Sequence, residues 1–229
     1  MRSRYVSCET CYIKKCSILK NCNPIFLDLI DKKKLMITFR AGSPIILQDS
    51  EVDGVYIVFR GLAKVHVKGF RGREFILRLA EPGSIVGHTP EGEKKQTVSI
   101  TAVEETEVCL IKNADFNEAV KNCDGIRSSL FDIYKKEIKE MEQRTISLVQ
   151  MNVREKTAEA LIRIAEAYHF QNGDSKRINL SRQEIADFTG TAKEQVSKAL
   201  ADFRNEQLIE ASGKNLTLLN IEGLREIVK

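Results

Sequence analysis

Between residues 35 and 111 apolar and polar positions alternate in short bursts: Leu-Met-Ile-Thr-Phe (35–39), Val-Tyr-Ile-Val-Phe (55–59), Ala-Lys-Val-His-Val (63–67), Glu-Phe-Ile-Leu-Arg-Leu (74–79), Thr-Val-Ser-Ile-Thr (97–101) and Val-Cys-Leu-Ile (108–111). Turn-forming pairs separate them at Ala41-Gly42, Asp53-Gly54, Arg60-Gly61, Pro82-Gly83 and Glu91-Gly92. Short runs of period two, punctuated by glycine, predict an all-β roll or barrel. From Ala114 the period changes. Ile126, Leu130, Ile133, Tyr134, Ile138, Met141, Thr145, Leu148 and Val149 fall mostly three or four apart, which predicts one long helix with an apolar stripe.

Such a stripe can simply seat a helix on its own domain. Roughly 25 residues at 1.5 Å each span about 37 Å, however, more than one small domain covers. The intervening Lys135, Lys136, Glu140, Glu142 and Arg144 are charged. A two-helix dimer seam accounts for both features, with Ile126, Leu130, Ile133, Ile138, Met141 and Leu148 as its apolar positions. A second helix is expected over 155–170, with Ala158, Leu161, Ile162 and Ala165 apolar, followed by a break at Gln171-Asn172-Gly173-Asp174.

After that break, Leu180-Ser181-Arg182-Gln183-Glu184 has the form of a helix start, with Ser181 as N-cap and Glu184 closing a capping box. Ala186 and Gly190 are small and four apart, as two helices meeting in a tight turn require, and Val196 can fill the gap between them. A second helix then runs from Ala192 to about Glu206. In a helix-turn-helix this second helix enters the major groove and offers its N-terminal residues to base edges. Here these are Lys193, Glu194, Ser197 and Lys198, with Ser181 and Arg182 at the start of the first helix. Glu194 can accept from a cytosine amino group, Ser197 suits several bases, and Lys193 and Lys198 can donate to guanine or phosphate. Two short apolar runs, 208–211 and 216–219, flank Ser212-Gly213-Lys214 as a hairpin wing. The fold class is therefore α+β: an N-terminal β-roll of the jelly-roll kind, a long dimerisation helix and a C-terminal winged helix-turn-helix. The corresponding segments are a cysteine-rich stretch (1–26), the roll (27–122), the long helix (123–152) and the winged domain (153–229).

Composition narrows the class without deciding it. A chain of 229 residues with 42% hydrophobic and 30% charged residues can bury a real core, and a net charge of +4 neither demands nor excludes a nucleic-acid partner. Charge and cysteine precede any apolar stretch of signal length, and no apolar run reaches 18 residues, so a cytoplasmic protein without a membrane partner is expected. No convergent acid-base or nucleophile set is evident in the roll, and an enzyme is not expected.

Four of the six cysteines, Cys8, Cys11, Cys16 and Cys22, crowd the N-terminus in the pattern Cys-x2-Cys-x4-Cys-x5-Cys. In a chain without an export signal this favours metal ligation or redox chemistry over disulfides, since four soft thiolates on a short flexible segment can fold round a metal centre. An iron–sulfur centre, a structural zinc site and a cluster-free thiol switch all fit that pattern. Haem would need an axial donor, for which His66, His88 and His169 are available, though lone histidines of this kind are usually surface or core residues.

The run Ser181 to Ala186, Gly190, and Glu194 to Lys198 resembles the Crp/Fnr superfamily of bacterial transcription regulators, and the roll, long helix and winged motif follow that family's order. The resemblance implies a homodimer binding double-stranded DNA at an inverted repeat, with RNA polymerase as a further partner. In cyclic-nucleotide-binding members the roll carries Gly-Glu-Leu and an Arg before a small residue and Ala; this chain reads Gly87-His88-Thr89-Pro90 and Gln96-Thr97-Val98-Ser99. Both charged residues are missing, which argues against cyclic AMP as effector. The stretch from Cys16 through Cys22 to Pro24 and Phe26 resembles the oxygen-sensing Fnr branch, whose [4Fe-4S] cluster is held by three N-terminal cysteines and one in the roll. That implies Cys16, Cys22 and Cys109. Ile13 stands where the branch has its first ligand, leaving Cys11 as substitute and Cys8 as alternative. A set confined to Cys8, Cys11, Cys16 and Cys22 is the rival, and Cys123 reads as a packed thiol. The same branch implies a TTGAT-like half-site, with Lys198 in place of the more usual Arg.

Overall fold

The computed structural model describes residues 6–13, 17–69, 72–88, 93–168, 176–212 and 215–229, and the chain clusters into two compact units. The first comprises residues 1–67 and 80–140, the second 68–79 and 141–229.

The first unit holds the expected roll apart from strand residues 68 and 74–79, which cluster with the second. Strands β1 (Leu35–Phe39), β2 (Pro44–Ile46), β3 (Gly54–Arg60), β4 (Ala63–Lys68), β5 (Glu74–Ala80), β6 (Ile85–Val86), β7 (Ser99–Ala102) and β8 (Thr106–Lys112) form two antiparallel sheets, ordered β1-β8-β3-β6 and β2-β7-β4-β5. Strand β3 reads as a continuous buried run through Val58, because it lies inside the sheet between β8 and β6. Strands β2 and β6 have only three and two residues, too few for a period to register in the sequence.

Two helices in this unit were not expected. Helix α1 (Pro24–Lys33) starts on Asn23, whose side chain accepts from the Phe26 N–H at 3.0 Å, with proline at the first helical position. That asparagine–proline start is legible in retrospect: the proline has no N–H to leave unsatisfied. Helix α2 (Asn113–Asn122) is separated from the long helix α3 (Asp124–Gln150) by an extended Cys123. The anticipated long helix thus exists, 27 residues long.

Its stripe has two fates. Ile126 is 1% exposed and lies in the roll's own core, with Leu130 and Ile133 packed against that core. The expectation that these three face a second chain is corrected to that extent: the first turns of α3 seat the helix on its own roll. Farther along, Phe131, Ile138, Met141, Ile146 and Val149 are exposed, and Leu148 is half-buried.

Gly125, in the first turn of α3, marks a close approach. A Cβ there would lie 1.7 Å from the Asn21 carbonyl oxygen, at the end of the 3-10 turn Ile18–Asn21. Alanine is the better helix former by about 1 kcal/mol, but the obstacle is backbone, which cannot rotate away. Gly125→Ala is therefore expected to destabilise the first unit by about 1–3 kcal/mol. Thermal unfolding monitored by circular dichroism checks this, and an unchanged or raised Tm would show that the turn is not anchored against α3.

The second unit contains α4 (Val153–Ala167), β9 (Lys176–Ile178), α5 (Arg182–Thr189), α6 (Lys193–Asn205), β10 (Ile209–Ser212), β11 (Asn215–Leu218) and α7 (Ile221–Ile227). The wing is a three-stranded sheet, β10-β11-β9, and not only the hairpin foreseen, because Ile178 pairs with Leu216. Helix α4 buries Ala158, Leu161, Ile164 and Ala165 under α5 and α6. Residues 68–79 join this unit through a small core of Ile76, Leu79, Ala160 and Phe188.

Candidate nucleic-acid interface and cysteine site

Helix α5 begins as the sequence predicts. Ser181 Oγ accepts from the Glu184 N–H at 3.2 Å, and the Glu184 carboxylate accepts from the Ser181 N–H at 2.9 Å. The helix ends on Gly190 at φ +66°, in the left-handed region where a side chain is strained. A Cβ on Gly190 would meet only side-chain atoms, Phe75 at 3.4 Å and Leu148 at 3.5 Å. The glycine is thus required by backbone conformation, rather than by the close approach of helices expected from its spacing to Ala186. Ala186 and Val196 are both fully buried where α5 and α6 pack.

Helix α6 buries Val196, Ala199, Leu200 and Phe203, and this fixes what its other side offers. Lys193, Glu194 and Lys198 are exposed and Ser197 is half-buried, so the four predicted reading residues lie on or beside the free face of one helix end. Ser181 and Arg182 are exposed at the start of α5. With Lys193 they line a groove of about 500 Å³ that also takes in Gln183 and Arg177. Arg177 was not foreseen. It sits on β9, a three-residue strand that becomes recognisable only through its pairing with β11. The wing tip at Gly213 and Lys214 lies outside the described residues. A capped helix start, two arginines and a lysine around one open groove can receive phosphate oxygens.

In the roll, Cys109 on β8 lies opposite Met36 on β1 and Ile57 on β3. Cross-strand partners share a sheet face, and the Cys109 thiol donates to Met36 Sδ at 3.0 Å. Cys8, Cys11 and Cys109 line one cavity together with Lys34, Ile57 and Ile111. Its free space, about 10 Å³, is room for about one water molecule. Burial pushes the Cys109 thiol up to about 12. Cys8 is also raised by burial, against the opposing influence of Lys34, whose ammonium donates to Cys8 Sγ at 3.0 Å and to Asp31 at 2.7 Å. Asp31 accepts from the Cys8 N–H at 3.0 Å as well, so the end of α1 holds the N-terminal segment in place.

Cys22 belongs elsewhere. Its thiol is hydrogen-bonded to Cys123 and lies 3.5 Å from the Asn23 carbonyl oxygen, and it does not line the Cys109 cavity. Burial pushes the Cys123 thiol up, but the N–H groups of Asn23, Ile126 and Gly125 and the Cys22 thiol outweigh it and hold it below the ordinary range. Cys16 lies outside the described residues. All five described cysteines are free, and among the described residues no three Cys, His, Asp or Glu side chains are grouped so as to hold a metal ion as they stand. The donor chemistry nevertheless fits a thiolate-bound centre, since two thiols of the N-terminal segment and one of β8 line one cavity.

The stretches beginning at Gly87 and Gln96 are joined by a neutral bond. Gln96 is 2% exposed and its amide donates to the Gly87 carbonyl at 3.2 Å. Neighbouring His88 stands 3.5 Å from Glu137 and packs on Tyr134, both on α3. His66 is bound to Thr101 at 2.9 Å, and His169 lies outside the described residues.

Residues 155–227 match the model of a Crp-like helix-turn-helix domain, and residues 36–123 that of a cyclic nucleotide-binding domain. The transcriptional activator protein Anr of Pseudomonas protegens is 27% identical over 217 residues, covering 91% of this chain and 89% of that protein. A CRP-like cAMP-activated global transcriptional regulator of Mycobacterium tuberculosis is 22% identical, covering 93% and 96%. Among solved structures, FixK2 from Bradyrhizobium japonicum superposes with a TM-score of 0.74 at 22% identity, covering 85% of this chain and 96% of that one. The matched domains and relatives are regulators rather than enzymes. Among the described residues no helix is long and apolar enough to cross a membrane.

Proposed function

We propose, for a chain that belongs to the Crp/Fnr family of DNA-binding transcription regulators, that a cysteine-held [4Fe-4S] cluster in the roll unit reports oxygen or redox state to the reading head. The observation that carries this reading is the meeting of Cys8, Cys11 and Cys109 at one cavity, although about a hundred residues separate Cys11 from Cys109. These three are the ligands we assign, with Cys16 as the fourth from its place in the cysteine pattern. When bound, the cluster supplies an oxygen-labile centre whose loss frees its thiolates.

The chain's own residues do the remaining work. Asp31 and Lys34 hold the start of the cysteine segment against α1, and the Lys34 charge beside Cys8 works against the effect of burial on that thiol. Gln96 and its neighbours supply no guanidinium where cyclic-nucleotide-binding members have one, which supports a signal other than a cyclic phosphate. On α6, Glu194, Ser197 and Lys198 read bases in a TTGAT-like half-site, while Ser181, Arg182 and Lys193 hold phosphates. RNA polymerase is the further partner, and the protein works in the cytoplasm.

Two reading heads require a dimer, and the exposed apolar side chains of α3 provide its seam. Phe131, Ile138 and Thr145 are seven apart, with Met141 three beyond Ile138, which is the spacing of a two-helix interface. A charge at Ile138 or Met141 would face its own copy across the seam. Ile138→Glu and Met141→Glu are therefore expected to raise the dimer dissociation constant at least tenfold in sedimentation equilibrium. Wild-type association by both variants would move the seam elsewhere.

Anaerobic purification tests the whole reading. Expected are a brown protein with about four iron atoms per chain and a gel shift on a TTGAT palindrome that weakens on exposure to air. A colourless protein carrying stoichiometric zinc would replace the cluster with a zinc site and leave DNA binding intact.

A further inference from the structure

We infer that Arg144 is a positioning residue for DNA reading: its buried guanidinium on α3 clamps the C-terminal end of α5 to strand β5 and so sets the angle at which α6 is presented. The residues involved all lie in the second unit. Arg144 is 9% exposed. It donates to the Ile76 carbonyl at 3.0 Å and to the Phe188 carbonyl, and it stacks on the rings of Phe188 at 4.2 Å and Phe75 at 5.3 Å.

Phe188 O is no ordinary acceptor. It is one of the last carbonyls of α5, which have no intrahelical partner and carry the negative end of the helix dipole. The neighbouring Ala186 carbonyl is taken by the N–H groups of Gly190 and Thr191. A cation from another helix therefore caps α5, two residues before the glycine turn into α6. The turn is flanked by the same two elements, since Phe75 and Leu148 are the side chains nearest to Gly190. Strand β5, the second half of α3 and the α5–α6 turn thus share one joint, and the charge of Arg144 bonds two of its three parts together.

The guanidinium is suited to this as no other side chain is. Its Nη2 bonds both carbonyls while the planar group lies against two rings; a lysine ammonium has the donors but no plane to lay on a ring. Burial lowers it to about 10, with nearby Arg163 acting in the same direction and Glu159 against it, so it stays charged at neutral pH. Its Nε has no hydrogen-bond partner among the described residues. A buried cation held mainly by neutral partners, with one donor unmet, is a poor device for stability alone, because taking an unpaired charge out of water is costly. This separates the two roles: a residue needed only for packing tolerates methionine, whereas a clamp does not.

The test uses full-length, anaerobically purified R144M and R144K with a duplex selected from a random pool by the wild-type protein, so it is independent of the assigned half-site and of the cysteine chemistry. Both variants are expected to bind the selected duplex at least tenfold more weakly, to discriminate less against a scrambled duplex, and to exchange the amides near the end of α5 at least tenfold faster, with roll amides unchanged. R144K is expected to recover less than half of the loss in log affinity. Wild-type discrimination and α5 protection in R144M would overturn the proposal. If R144M does not fold, R144K decides by the same two readings, and wild-type behaviour in both would overturn it.

Discussion

Alanine at Glu194 is expected to reduce affinity for the selected palindrome by about 10- to 100-fold per half-site, and to do so only where the preferred base is present. A direct base contact contributes about 1–3 kcal/mol of discrimination, and Glu194 sits exposed in the first turn of α6, on the helix end that faces a groove in motifs of this kind. Its neighbour Lys193 is the control. It lines the groove with Arg182 and Arg177, where a phosphate contact carries no sequence information. Lys193→Ala should weaken binding to all sequences alike and lower the salt slope by about one for each phosphate that is no longer neutralised. Fluorescence anisotropy with matched and single-base-changed duplexes across a salt series distinguishes the two. If Glu194→Ala weakened every duplex equally, Glu194 would serve the structure of α6 rather than read a base, since removing a carboxylate only relieves repulsion from the phosphates. Lys198→Arg offers the converse: the planar fork should strengthen recognition of guanine, because it can bond O6 and N7 together.

The second large effect concerns which thiols hold the proposed cluster. After anaerobic reconstitution, Cys8→Ser, Cys11→Ser and Cys109→Ser are each expected to lose most of the iron and the visible absorbance, whereas Cys22→Ser keeps both. The Fnr-like motif would have Cys22 as a ligand. The tertiary arrangement puts it beside Cys123 at the start of α3, while Cys8 lines the cavity with Cys109. Serine is a near-isostere whose oxygen is a poor ligand for a soft metal centre, so each loss reads ligation more than packing. Iron content and spectrum are measured independently of DNA binding. Loss of iron in Cys22→Ser with retention in Cys8→Ser would return the assignment to the motif.

Much of this molecule is legible in local pattern because its elements obey local rules. The period-two bursts became strands, the capping box at Ser181 and Glu184 opened α5 as expected, and Gly190 closed it in the left-handed region that only glycine adopts freely. The helices at 24–33 and 113–122 escaped because one is short and announced only by its asparagine–proline start, while the other runs into the long helix with no glycine or proline between them. Strand β9 and Arg177 escaped because a three-residue strand carries no periodicity of its own.

The sequence alone settled the order of parts, the exposed face of α6 and the absence of an arginine at Gln96–Ser99, because these depend on residues adjacent in the chain or spaced by one helical turn. The apolar stripe of α3 was equally visible, yet its division was not. A period says which side of a helix is apolar, and only packing says whether a roll or a second copy covers it: the roll takes Ile126, and Ile138 and Met141 are left exposed. The grouping of Cys8 and Cys11 with Cys109, the separation of Cys22 toward Cys123, and the seating of Arg144 against the end of α5 were likewise decided by tertiary structure. Each brings together side chains far apart in sequence through strand pairing and helix docking, and no local pattern contains it.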